Sequence, residues 1–103
     1  MSNSISVNTK MNFDFKVELD TIISTIKQVF ETKKNIILTS EPKIVINAAK
    51  NNAEIFISYK LKKNTTLSFE TKQLIFMIEQ RVYSLINVKP ININLIFEGI
   101  ENV

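Results

Sequence analysis

The chain has 103 residues, of which 45% are apolar, a net charge of +3, a single Gly, and neither His nor Cys. This length suits one domain with one core. The missing Cys excludes a thiolate nucleophile, a disulfide framework and Cys-based zinc sites, and the missing His removes the usual general base and metal ligand. We therefore expect no catalytic residues, no metal and no cofactor, and a protein that is not an enzyme.

The sequence does not show the patterns of export or of membrane insertion. Residues 1–12 are mostly Ser, Asn, Thr and Lys, which predicts a polar, flexible N-terminal tail and no secretory signal. Residues 13–103 are predicted to form a single α/β domain. The longest apolar run, residues 74–78, is far shorter than the roughly 20 residues that cross a bilayer. We expect a cytoplasmic protein with no membrane span, which reaches a membrane surface through a partner if at all.

The first predicted elements are a strand and a helix. Phe13, Phe15, Val17 and Leu19 alternate with charged residues, the period of two that marks a half-buried strand. Asp20 is then expected to cap a helix whose apolar residues recur at spacings of three and four. Those apolar residues are Ile22, Ile23, Ile26, Val29 and Phe30.

The first helix is expected to end just after two lysines. Lys33 and Lys34 suit its negative C-terminal end, and Asn35 is predicted to adopt the left-handed conformation that stops a helix. Pro42 prevents the helix from continuing further.

Two more strands are predicted to form an antiparallel hairpin. Residues 43–47 are a short β-branched run, and residues 55–61 alternate between apolar and polar side chains. Asn51 and Asn52 provide the turn between them. Residues 60–64 are predicted to form a Lys-rich loop.

The second predicted helix covers residues 66–86, and its apolar residues form two separate stripes. The core-facing stripe consists of Leu67, Leu74, Ile75, Ile78, Val82, Leu85 and Ile86. Phe69, Phe76 and Tyr83 are seven residues apart and lie roughly 140° away from it around the helix. One sheet cannot easily cover both stripes, so a second contact for this helix is implied.

Asn87 and Pro90 are expected to end the second helix, and the alternation over residues 91–97 predicts a closing strand. The element order is then β-α-β-β-α-β. This order predicts an α+β two-layer sandwich with a mixed sheet and both helices on one face. Ferredoxin-like packing is one such arrangement, but the order of elements does not fix the order of strands.

Two candidate binding surfaces follow from the residues. Phe69, Phe76 and Tyr83 form a candidate protein interface, because aromatic residues are enriched at contact hot spots. The alternative is that these rings fill the edge of the core, beneath the N-terminal segment or the first helix.

The second surface is a weak basic patch made by Lys60, Lys62 and Lys63. Three lysines in one loop are more often a solvated surface than a binding site. The single Gly excludes the GXXG loop of KH domains, and the Gly-containing motif of RRM domains is missing. Nucleic acid is therefore not favoured as a partner.

The end of the chain resembles the alkaline shock protein family, which is also called the Gls-type general stress family. Residues 91–100, Ile-Asn-Ile-Asn-Leu-Ile-Phe-Glu-Gly-Ile, resemble the alternating strand of that family followed by a Gly and an aliphatic residue, with Asn94 and Gly99 at the matching positions. The hairpin strand over residues 55–59 and the helix that carries Ile78 and Val82 also fit the pattern.

The chain departs from the family where Gly usually follows each helix. Here those places hold Asn35-Ile36 and Ile86-Asn87. Asn is the residue after Gly that best tolerates the left-handed conformation, so the backbone geometry can survive the change.

The resemblance implies a non-enzymatic cytoplasmic protein of envelope stress and homeostasis that self-associates and, in some members, is recruited by a membrane-anchored protein. It defines no catalytic or ligand residues for this chain. Two alternatives stay open at this stage. One is an RNA- or ribosome-binding domain like ribosome-binding factor A, and the other is a regulatory partner of a lipid-metabolism enzyme.

Overall fold

The computed structural model describes residues 4–8 and 14–101 of the chain. The elements in chain order are β1 (Ser4–Asn8), β2 (Asp14–Glu18), α1 (Leu19–Thr32), β3 (Ile36–Leu38), β4 (Lys43–Asn47), β5 (Asn52–Lys62), α2 (Leu67–Ile86) and β6 (Asn92–Glu101), with a 3-10 turn at Ala48–Lys50. The helices pack on a sheet that contains both parallel and antiparallel pairs. The predicted α+β two-layer fold is confirmed.

The longest strand, β5, is the centre of this sheet. β3 and β4 pair antiparallel with β5, each along a different part of its length, and β6 pairs parallel with it. Ile55 is thus flanked by Ile44 of β4 and Ile93 of β6. The predicted hairpin of β4 and β5 is confirmed, and Asn51 in its turn adopts the left-handed conformation with φ 48°. Asn52, which was also predicted in the turn, is instead the first residue of β5 and pairs with Asn47.

The core lies between the inner face of β5 and the two helices. Alternate residues of β5 from Ala53 to Leu61 are buried, as the period-two pattern of the strand requires. They belong to one apolar cluster with buried side chains of both helices. The buried side chains of α1 in that cluster are Ile22, Ile26, Val29 and Phe30, and those of α2 are Leu74, Ile78, Val82 and Ile86.

The prediction of a flexible tail over residues 1–12 is wrong for residues 4–8. Ser4–Asn8 form β1, which pairs antiparallel with β2, and Ile5 and Val7 are buried in the core. The remaining tail residues, 1–3 and 9–12, lie outside the described residues. Two alternating apolar residues in a polar segment are too short a pattern to predict a strand.

The first predicted strand pairs with β1, an element that the sequence did not predict. β2 forms a two-stranded sheet with β1 and is not part of the mixed sheet. Val17 of β2 is buried opposite Ile5, whereas Phe15 is largely exposed. A ferredoxin-like arrangement, with the first strand inside the main sheet, is not what the described residues form.

The ends of the helices differ in part from their predictions. α1 begins at Leu19 with Glu18 as its N-cap, so Asp20 lies inside the first turn and does not cap the helix. Asn35 does not adopt the left-handed conformation, because α1 already ends at Thr32, with Lys33 as a C-cap in extended geometry. Asn87 does adopt it, with φ 63°, and ends α2 as predicted.

A buried ion pair joins the end of α1 to the first turn of α2. Lys33 Nζ donates to Glu70 Oε1 at 2.9 Å and to Gln73 Oε1 at 2.6 Å, and Asn35 Nδ2 lies 3.4 Å from Glu70 Oε2. The side chain of Glu70 is 5% exposed and that of Lys33 is 14% exposed. The hydrogen bond from Lys33 holds the pKa of Glu70 below its ordinary value of 4.5, against the opposing effect of burial.

We expect Glu70→Gln to destabilise the protein by about 3 kcal/mol at pH 7, because Lys33 then stays buried without its counter-charge. Since the pKa of Glu70 is lower in the folded state than in the unfolded state, the stabilisation by the ionised carboxylate is complete above the unfolded pKa and declines as pH falls through the folded pKa. Urea unfolding of the wild type and the variant between pH 7 and pH 3.5 should show this difference shrinking below about pH 4.5.

Glu41→Gln is the matched control. Glu41 Oε1 lies 2.8 Å from Lys27 Nζ, but the two side chains are 65% and 46% exposed. Its loss should cost less than about 1 kcal/mol. Equal effects of the two substitutions would show that burial does not strengthen the pair at Glu70.

The single Gly of the chain lies in a β-bulge of β6. Tyr59 pairs with Phe97 and Leu61 with Ile100, so Glu98 and Gly99 together oppose Lys60. Gly99 has φ 131°, a conformation that L side chains rarely adopt, although a Cβ at this position would meet no atom within 4 Å.

We expect Gly99→Ala to cost about 1 to 2 kcal/mol through backbone strain alone, since no steric contact opposes the methyl group. Glu98→Ala, which changes the neighbouring bulge residue and keeps the glycine, should cost less than about 0.5 kcal/mol. Thermal unfolding of both variants measures the difference. A Gly99→Ala variant as stable as the wild type would mean that the bulge relaxes without cost.

Candidate functional site

The second helix presents one face to the core and three aromatic rings to the opposite side. The buried residues of α2 recur every four positions, from Glu70 to Ile86. Phe69, Phe76 and Tyr83 are 57%, 63% and 47% exposed. We call these three residues the aromatic stripe. The alternative that they fill the edge of the core does not hold for the described residues.

The spacing of the stripe explains its straightness. Seven residues are almost two full helical turns, so each ring is displaced by about 10 Å along the helix and by only about 20° around it. The three rings therefore form a row about 21 Å long. Exposed apolar side chains that line up on one face, unlike ones scattered singly, often mark a binding surface.

Two depressions lie along the stripe, one between Phe69 and Phe76 and the other at Tyr83. The first, of about 370 Å³, is lined by Phe69 and Phe76 together with Lys72, Gln73 and Met77. The second, of about 250 Å³, is lined by Tyr83 with Glu79, Gln80 and Lys89. The stripe thus has an apolar ridge and a polar rim that carries charges of both signs, which suits a protein partner.

A third depression lies beside the stripe, and the sequence does not predict it. It has a volume of about 630 Å³ and joins the start of α2 to the edge strand β6, with Tyr59, Leu67, Lys72 and Phe97 among its lining residues. The rings of Tyr59 and Phe97 are 5.7 Å apart, and Tyr59 Oη lies 2.6 Å from Thr71 Oγ1.

The prediction that Leu67 belongs to the core face is wrong. Leu67 is 42% exposed, because it is the first residue of α2 and lies towards β6, the edge strand of the sheet. Phe97 is 38% exposed because it lies in β6 itself, at the same edge of the sheet. This depression exists because β6 pairs parallel with β5. The alternation of residues in the sequence predicts each strand but does not reveal which strands pair.

The three lysines of the predicted basic patch do not share a loop. β5 extends to Lys62 because β6 pairs with it up to that residue, so Lys60 and Lys62 lie in the strand and Lys63 in the turn that follows. Lys60 is half-buried, and the other two are exposed. The predicted loop over residues 60–64 is therefore wrong over its first three residues, which belong to β5.

Within the described ranges, no three carboxylates approach one another closely enough to hold a metal ion. Among those same residues, neither helix is sufficiently long and apolar to cross a membrane. Comparison with family models, with curated proteins and with solved structures finds no match for the chain. The resemblance to alkaline shock proteins therefore stays a prediction from the motifs.

We expect Phe76→Ala to change the free energy of unfolding by less than about 0.5 kcal/mol, because the ring packs on little of the same molecule. Ile78→Ala, two residues away and fully buried, should cost about 2 to 5 kcal/mol. Urea unfolding at a low protein concentration, where association contributes least, measures both. A large loss for Phe76→Ala would place that ring in the core.

Proposed function

We propose that this chain is a non-enzymatic protein of envelope stress and homeostasis that works by protein-protein contact and self-association through the aromatic stripe. The observation that carries the proposal is the exposure of Phe69, Phe76 and Tyr83 in one row. Aromatic side chains give a large contact area at a low cost in conformational entropy, and they dominate the binding energy of many interfaces.

The resemblance of residues 91–100 to alkaline shock proteins supports the envelope role. It also supports a cytoplasmic location, with recruitment to the membrane by an anchored partner. Regulation of a lipid-metabolism enzyme would use the same kind of protein contact. RNA or ribosome binding has less support, because Lys60, Lys62 and Lys63 are divided between a strand and a turn.

We expect Phe76→Ala to abolish or greatly weaken self-association while the protein stays folded. Analytical ultracentrifugation over a range of protein concentrations, with circular dichroism as the test of folding, measures both properties. Val45→Ala is the matched control, since it removes an apolar side chain that is 44% exposed on β4 and distant in sequence from α2. Unchanged association of Phe76→Ala would contradict the proposal.

The salt dependence of partner binding distinguishes the proposed protein contact from RNA binding. Binding to phosphates weakens steeply as salt rises, whereas contact between aromatic rings changes little or strengthens. Capture of partners from a native lysate at two salt concentrations, with and without nuclease, should therefore recover the same proteins with the wild type and lose them with Phe76→Ala. Recovery of ribosomal proteins that nuclease removes would favour the RNA-binding alternative.

A further inference from the structure

We propose that two copies of the chain pair through their α2 helices in an antiparallel arrangement, with the two-fold axis at Phe76. This inference rests on the proposed function, because it uses the same aromatic stripe. It adds the direction and the register of the contact between the two copies.

The aromatic residues are placed symmetrically for such a pair. Phe69 precedes Phe76 by seven residues and Tyr83 follows it by seven. When two α2 helices run in opposite directions about Phe76, this ring meets its own copy, and Phe69 of each chain meets Tyr83 of the other. All three exposed rings of both copies are then covered by aromatic surface, as an interface that matches itself requires.

The charges beside the stripe distinguish antiparallel from parallel pairing. Lys72 lies four residues before Phe76 and Glu79 three residues after it. At 100° per residue, both side chains lie on the same flank, about 40° and 60° from Phe76. In the antiparallel pair, Lys72 of each chain faces Glu79 of the other with an offset of about 1.5 Å along the axis.

A parallel pair would exchange the flanks. Lys72 would then face Gln73 of the second copy, and Glu79 would face Gln80, so that neither charge gains an opposite partner. Within one chain, Lys72 and Glu79 make no ion pair or side-chain hydrogen bond with any other described residue. Both charges are therefore available, and the antiparallel pair gives each of them one opposite partner, which makes two ion pairs across the interface.

The opposite flank is compatible with the same arrangement. Gln73 and Gln80 face each other there, and two amide side chains can exchange hydrogen bonds. Gln73 Oε1 already accepts from Lys33 Nζ at 2.6 Å, which leaves its amide nitrogen free to donate across the interface. Among the residues of α2 itself, neither flank places like charges opposite each other.

Exchanging the two charges tests the register. Lys72→Glu places four carboxylates at the interface and Glu79→Lys places four ammonium groups there, so each single variant should dimerise about tenfold more weakly than the wild type. The double variant Lys72→Glu/Glu79→Lys restores opposite charges across the interface and the original net charge. We expect its dissociation constant to lie within about threefold of the wild-type value, because the geometry is unchanged.

Lys50→Glu is the control for net charge alone, since Lys50 is exposed in the 3-10 turn outside α2. It should leave the dissociation constant unchanged within about twofold. A double variant that associates as weakly as the single variants would overturn the antiparallel pairing.

Cross-linking tests the direction independently, because the chain has no Cys of its own. In the antiparallel pair, position 72 of one copy is near position 79 of the other, whereas the two positions 72 are about 12 Å apart along the axis and the two positions 79 about 9 Å. Disulfides form when the Cα atoms are within about 7 Å. A mixture of Lys72→Cys and Glu79→Cys proteins should therefore give mainly mixed disulfides on mild oxidation.

Equal amounts of mixed and like disulfides would overturn the antiparallel register.

Failure of the antiparallel register can be distinguished from failure of the proposed function. If Phe76→Ala loses association but the charge exchange does not restore it, the stripe is the interface and the register proposed for it is wrong. If Phe76→Ala associates as the wild type does, both proposals fall together.

Discussion

The central position of β5 is the constraint on which the rest of the structure depends. This strand is paired along both edges, and its inner face, from Ala53 to Leu61, is buried under the helices. A helix that packs on such a face can use only one side of its surface for the core. α2 uses the side with residues spaced by four, and Met77 and Leu85 pack against the same core from its margins. The aromatic stripe is left to another contact.

The sequence predicts the elements of this fold well where the pattern is long and local. The alternation of β5 and the two helices follow directly from the spacing of apolar residues, and the element order predicts the α+β class. The partner of β2 could not be predicted, because β1 contains two buried apolar residues in a polar segment. The prediction of a left-handed Asn35 is wrong because Lys33 already caps the end of α1. The side chain of Asn35 instead donates to Glu70.

The candidate site shows the same division between local and long-range information. Helical periodicity separates Phe69, Phe76 and Tyr83 from the core residues without any knowledge of the sheet, so the stripe is predictable. The depression at Leu67 and Phe97 depends on where β6 lies, and that position is set by parallel pairing between strands that are distant in sequence. The buried ion pair of Lys33 and Glu70 is also long-range. In the sequence, Lys33 had a simpler explanation as a charge at the end of the first helix.

Among residues 4–8 and 14–101, three asparagines take the left-handed conformation, at positions 51, 64 and 87, where many proteins place glycine. An Asn residue samples fewer backbone conformations than Gly when the chain is unfolded, so less entropy is lost when the turn forms. The side chain does cost some strain in the folded turn, but Asn bears that strain better than other residues. A protein with a single Gly can therefore have a denatured state of reduced freedom, and part of its stability arises in that state and not in any contact of the native fold.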